Sequence, residues 1–198
     1  MTHLEYSPTV IAWINADRAH LTSLGIAPET ARYLEEKGLP VFGDDPPFGI
    51  RFEEIKAISL NNRSYLLLGR EIWKDDLLIA LDPSDMGVYA VSPGAKPSYM
   101  NASVESLTVF VYTVYDLMRR AAASEPDPAP AVMNLQQMQE KLALLRQGLL
   151  RPPKVQVRFN RAAEAKKVKD TLKQIDAKAL KGTAWWKVVL DEFEDGLI

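Results

Sequence analysis

Apolar positions along this chain change period twice, and each change predicts a different kind of element. To about Gly38 the pattern reads helical. The run Pro28-Glu29-Thr30-Ala31-Arg32-Tyr33-Leu34-Glu35-Glu36-Lys37-Gly38 opens on Pro and Glu and closes on Lys and Gly. That order suits a helix, which has free amides at its start and free carbonyls at its end. Leu39-Pro40 then forces an extended exit. Asp44-Asp45-Pro46-Pro47 is a loop, because consecutive prolines continue neither regular structure. From Ile55 the pattern shortens. Ile55–Leu60, Tyr65–Gly69, Leu77–Leu81 and Val88–Val91 read as strands, the first pair joined through Asn61-Asn62-Arg63-Ser64. Asn tolerates the left-handed backbone that tight hairpins require. Four short strands with no helix between them predict an antiparallel meander.

The helical period then returns. Asn101 or Ser103 caps a long helix on which Val104, Leu107, Val111, Val114 or Tyr115, and Met118 recur at three- and four-residue steps. One apolar stripe of this kind packs on one face of a meander, giving an α+β layer. Ser124-Glu125-Pro126-Asp127-Pro128-Ala129-Pro130 reads as a Pro/Ala-rich linker. Beyond it, 132–148 is a helix ended by Gly148 and Pro152-Pro153, and 154–160 alternates as a short strand would. The next helix, 162–179, carries Ala165, Val168, Leu172, Ile175 and Ala179 on one arc. Trp185, Trp186, Val189, Leu190 and Phe193 form a last apolar arc. The expected organisation is an α+β domain over 1–123, a linker over 124–131 and a mainly helical C-terminal extension over 132–198.

With 198 residues the chain can build a real core without staples. It has no cysteine, which removes disulfides, thiol nucleophiles and Cys-based zinc sites from consideration. No basic segment followed by an apolar run opens the sequence, and no apolar stretch approaches the roughly 20 residues that span a bilayer. A soluble, cytoplasmic protein without membrane contact is expected. Charge is segregated: residues 1–150 hold 13 basic and 19 acidic side chains, whereas 151–181 hold 10 basic and 3 acidic.

Chemistry is sparse. The two histidines, His3 and His20, have no neighbour at metal-ligand spacing, and there is no phosphate loop or nucleophile elbow. No cofactor, metal or catalytic residue is expected. The carboxylate pairs Asp44-Asp45, Glu53-Glu54, Asp75-Asp76 and Asp82/Asp85 could serve glycoside hydrolysis only if they converged in a cleft. As turn residues they read either as ordinary solubilising charge or as an acidic surface that steers a basic partner. Lys166, Lys167, Lys169 and Lys173 lie off the apolar arc of their helix. Without a recognition motif or aromatic interleaving they read as a solvated face rather than a nucleic-acid site. Trp185-Trp186 reads as core, with a contact patch as the alternative.

The order Gly38-Leu39-Pro40 after a helix, a polar loop with Phe48, Leu67-Leu68-Gly69, Ile79-Ala80-Leu81-Asp82-Pro83, Gly87-Val88-Tyr89, and Tyr99-Met100-Asn101-Ala102-Ser103 opening a helix resembles the SUKH superfamily over about residues 25–120. Its fourth subgroup, with asparagine-x-serine opening the helix after the sheet, is the most similar. The resemblance implies an antiparallel sheet flanked by helices and a non-catalytic immunity protein that neutralises a bacterial toxin, often a nuclease or nucleic-acid deaminase. It makes Gly38, Pro40, Gly69, Asp82, Gly87, Asn101 and Ser103 structural positions. Asp44, Asp45, Glu53, Glu54, Asp75 and Asp76 are then candidate contacts to a cognate toxin whose cleft is basic. The other reading is an intracellular adaptor or regulator on the same scaffold, of which contact with nucleic acid through the basic tail is one form.

Overall fold

The computed structural model describes residues 10–43, 47–74, 76–124, 135–148 and 159–197. The region expected to be wholly helical begins instead with a strand, β1 (Ala12–Ile14), followed by helices α1 (Arg18–Ser23) and α2 (Pro28–Glu36). β1 lacks a helical period of its own. It is extended because β2 (Leu39–Val41) pairs with it antiparallel, Trp13 opposite Pro40. Asp17 caps α1 by accepting the His20 amide at 2.7 Å, and α2 starts on Pro28 as its sequence requires. Gly38 follows α2 at a φ of 69°, and a Cβ there would stand 2.6 Å from the Ile14 carbonyl oxygen. Both the turn and the close approach of β1 therefore require glycine.

A five-stranded antiparallel meander follows in sequence order: β3 (Ile50–Leu60), β4 (Arg63–Glu71), β5 (Leu78–Leu81), β6 (Val88–Val91) and β7 (Ser98–Asn101). β3 starts at Ile50, five residues before its expected first residue, because a bulge between Phe52 and Lys56 interrupts the alternation without ending the pairing. Gly69 faces that bulge, and a Cβ there would lie 2.3 Å from the Arg51 carbonyl oxygen. The hairpin turn is the two residues Asn61 and Asn62, at φ 51° and 59°. This is the mirror-image turn whose twist matches its strands. The Asn61 side chain also donates to the carbonyls of Ser92 and Ala95 and accepts from the Gly94 amide. It thus ties the hairpin tip to the β6–β7 loop. β7 has no counterpart among the expected strands. It is only four residues long, directly after Pro97, and it pairs with β6 alone.

One face of the sheet carries Ile50, Phe52, Leu66, Leu68, Ile79, Leu81, Val88, Ala90 and Met100 into the main core. Helix α3 (Val104–Ser124) covers it with Val104, Leu107, Phe110, Val111, Val114 and Leu117. The hydroxyls and amides of Ser103 and Ser106 satisfy one another at 3.0 and 3.1 Å, so Ser103 is the residue that caps α3. Asn101 instead ends β7, fully buried. On the opposite face Tyr65, Ala80 and Val91 are buried among Ile58, Leu60, Leu78 and Tyr89.

The C-terminal helices α5 (Arg161–Asp176) and α6 (Trp185–Glu194) enter the same main core through Ala165, Val168, Leu172, Trp186, Leu190 and Phe193. The inward arc of α5 departs from its expected composition at one place. Ile175 is 44% exposed, and Asp176 is buried in its stead. Helix α4 (Leu135–Arg146) buries no side chain. The Pro/Ala-rich linker and the expected strand over 154–160 lie outside the described residues, apart from Ser124 at the end of α3 and the loop residues Phe159 and Asn160. No helix among the described residues is long and apolar enough to cross a membrane.

Candidate functional site

A groove of about 400 Å³ lies at one end of the sheet, between the β4–β5 loop, the 3-10 turn at Pro47–Gly49 and α6. Its construction starts in the core. Trp186 is fully buried and packs against Phe110 and Phe48, each at 5.6 Å between ring centroids. Trp185 meets Trp186 edge-on at 4.7 Å, which carries the aromatic packing out to the groove wall. Phe48, Trp73, Leu77, Trp185 and Val189 line it, together with Met118 of α3.

Trp73 is 68% exposed, unusual for so large an apolar side chain. Its ring lies against Gly49, where a Cβ would stand 2.7 Å from two ring carbons. The Ile72 amide donates to the Gly49 carbonyl at 2.8 Å, so the loop bearing Trp73 is fixed to the 3-10 turn. Phe48 adopts φ 56° and Gly49 φ 66° to make this contact. A non-glycine residue in that region is strained, and such strain concentrates at functional sites. Sequence reasoning passed over Trp73. It stands in a polar loop, Trp73-Lys74-Asp75-Asp76, and belongs to no alternation; a lone tryptophan among charges was the available signal.

Glu71 and Glu192 line the groove with a single cation, Lys74. Among the expected contact residues, Asp76 is exposed in the β4–β5 loop beside this groove and Glu54 is exposed on β3. Glu53 is half-buried and engaged by Arg70, with oxygens 2.6 and 2.9 Å from the guanidinium nitrogens. Asp44, Asp45 and Asp75 lie outside the described residues.

The remaining named positions hold turns and seams. Pro40 is buried in β2 opposite Trp13. Asp82 closes the β5–β6 turn by accepting from the amide and hydroxyl of Ser84 at 2.9 and 2.6 Å, with Arg63 3.8 Å away. Gly87 donates its amide to Asp85, and a Cβ there would press on Asp85 and Tyr89 at 2.9 Å. Asn101 Oδ1 accepts from the Trp186 indole at 2.7 Å.

A tyrosine–carboxylate seam joins β6, β7 and the C-terminal helices. Tyr89 donates to Asp85 at 2.5 Å and Tyr99 to Asp176 at 2.9 Å, their rings edge-on at 5.7 Å. The Lys178 ammonium sits 3.8 Å from the Tyr99 ring centroid. Burial first, and the bond to Asp85 second, push the Tyr89 phenol up to about 12. Tyr99 is raised in the same way by burial and by Asp176. Both folded values lie above the ordinary 10.0. The unfolded chain therefore loses these protons first as pH rises. The stability they confer is full below about pH 10 and is lost as pH climbs through the folded values. Denaturation midpoints should fall steeply above about pH 10, and less steeply in Tyr99→Phe. Parallel profiles for the two proteins would exclude Tyr99 as a source.

The basic helix face is largely compensated. Lys169 reaches Asp191 and Glu194 of α6 at 2.9 and 2.6 Å, Lys167 pairs with Glu164 at 2.5 Å, and Lys173 with Asp170 at 3.4 Å. Asp191 is held below the ordinary carboxylate range chiefly by Lys187, despite partial burial, with Lys169 adding to the effect. His20 is exposed on α1. Among the described residues no group of three His, Asp or Glu side chains is placed to hold a metal ion.

An antiparallel meander backed by helices is an α+β architecture. The chain belongs to the SUKH-4 immunity protein family, whose model matches residues 12–192. The match runs from β1 into α6, so it includes the C-terminal helices that lie beyond the 25–120 resemblance. No curated protein and no solved structure matches the chain.

Proposed function

We propose that this protein is a non-catalytic immunity protein of the cytoplasm that binds and neutralises one cognate toxin, a nuclease or nucleic-acid deaminase. Family membership over 12–192 is the observation that carries this reading. An enzyme acting on nucleic acid must attract phosphates, so its cleft is basic. Glu54 and Asp76, with Asp44, Asp45 and Asp75 of the same acidic half of the chain, complement such a cleft. Glu53 contributes less, since Arg70 already engages it. The compensated lysines of α5 favour this protein-binding role over an adaptor that holds nucleic acid through its tail.

The test is co-expression with the product of the adjacent gene in a sensitive host. Growth restored only by this chain, with a stable complex recovered by pull-down, is the expected result. Asp75→Asn/Asp76→Asn should slow association severalfold at low salt and flatten its salt dependence, because rim charges act mainly on the encounter rate. Toxicity that this chain does not relieve, with no complex, would overturn the immunity reading. Unchanged association rates would remove the acidic loop from the mechanism.

A further inference from the structure

We propose that the groove beneath Trp73 is a socket for a cationic side chain, arginine or lysine, presented on an apolar segment of the bound toxin. The inference rests on the immunity reading for its partner and on the groove alone for its chemistry.

The walls are aromatic. Trp73, Trp185 and Phe48 all line the groove, and aromatic faces attract cations more strongly once water is excluded. The rim is acidic. Glu71, at the end of β4, and Glu192, on α6, both line the groove, against the single Lys74. Among the described residues neither carboxylate makes an ion pair with a basic side chain. A purely apolar occupant would strip water from both carboxylates without replacing it, which is costly for a charge. An anionic occupant would meet them directly. A guanidinium or ammonium stem satisfies both requirements, since its methylenes pack on the rings while its head pairs with the acids.

The socket is also pre-organised. Exposed side chains ordinarily lose rotamer freedom on binding. Trp73 is exposed, yet its ring is seated on Gly49 and its loop is tied to the Gly49 carbonyl. Tryptophan is one of the side chains enriched where interface energy concentrates. The same groove brings together β4, α6 and the 3-10 turn, segments far apart in sequence, so no local motif encodes it.

The test uses the full chain and two capped dipeptides, acetyl-Leu-Arg-amide and its uncharged isostere acetyl-Leu-citrulline-amide. The readout is the indole N–H signals of Trp73 and Trp185 in NMR titrations. The arginine peptide should move both signals and bind about tenfold more tightly than the citrulline peptide. Trp73→Ala should weaken that binding at least about tenfold, with an unchanged thermal melt showing that the fold is intact. Glu71→Gln/Glu192→Gln should abolish the preference for arginine while leaving the weaker apolar contact. Equal binding of the two peptides, or no movement of either signal, overturns the socket. With toxin in hand, Trp73→Ala should lose capture while wild type retains it. Equal capture by both would overturn the groove yet leave immunity standing. A wild-type chain that neither captures nor rescues would defeat the immunity reading, and the peptide titration would still decide the groove.

Discussion

Trp186→Ala is expected to destabilise the protein by roughly 4–5 kcal/mol, the upper end for removal of a buried aromatic side chain. That is a large fraction of the roughly 5–15 kcal/mol by which native domains are stable. Trp186 is fully buried where α6 meets the sheet and α3, in contact with Phe48, Phe110 and Trp185. Its indole nitrogen is also the donor to Asn101 Oδ1. Asn101 is itself fully buried, and its amide nitrogen has no partner among the described residues. Losing Trp186 would thus open a cavity and leave the amide with neither of its polar atoms satisfied. Trp186→Phe separates the two effects. It keeps most of the volume and should cost about 1–3 kcal/mol, the penalty for an orphaned buried acceptor. Urea denaturation followed by far-ultraviolet circular dichroism measures both. A loss below about 2 kcal/mol in Trp186→Ala, far under the range for buried aromatics, would mean that α6 contributes little to the core.

The second large effect is expected at Asp176, where Asp176→Asn should cost about 2–4 kcal/mol, nearly as much as Asp176→Ala. Asp176 Oδ2 accepts from the Tyr99 hydroxyl at 2.9 Å and the Ala102 amide at 2.7 Å. Its Oδ1 accepts from the Lys178 and Ala179 amides at 3.1 and 3.3 Å. Both oxygens therefore face donors only. An asparagine offers one oxygen and one NH2 group, so its NH2 faces either the Lys178 and Ala179 amides or the Ala102 amide. In both orientations at least one donor meets a donor. One carboxylate holds the strand β7, the start of α3 and the end of α5 together, and the isosteric change should break the seam without changing its shape. Equilibrium denaturation distinguishes the outcomes. A near-neutral Asp176→Asn would show that water replaces these bonds and that the seam is not dry.

Both predictions concern joints between the C-terminal helices and the sheet, and these were the least legible features of the sequence. The period of α5 places Ala165, Val168 and Leu172 inward correctly, but it continues to Ile175 because periodicity scores apolar residues alone. The chain turns into a 3-10 segment at Ala177–Leu180 immediately afterwards, and Asp176 caps it from inside. A buried acid with four donors is invisible to an apolar count. Trp73 escaped for the converse reason, since an exposed tryptophan in an acidic loop has no period to betray it.

The sequence by itself determined those features that local chemistry dictates. The Asn61-Asn62 turn follows from two residues that tolerate positive φ, α2 from Pro28 at its start and Gly38 after its end, and α3 from its stripe and a cap. The α+β class follows from strands clustered ahead of a long amphipathic helix. Even the family resemblance rests on such short pieces kept in order. Tertiary structure alone decided the pairing of β1 with β2, the addition of β7 to the sheet, and the choice of Ser103 over Asn101 as cap. It also decided that Trp186 rather than Trp185 enters the core, and that Phe48, Trp73 and Trp185 converge on one groove. The β6–β7 pairing and the Ser103–Ser106 cap are short-range bonds. The β1–β2 pair, the burial of Trp186 and the groove instead depend on residues more than twenty positions apart. Their contacts gain free energy only when surfaces close together and exclude water.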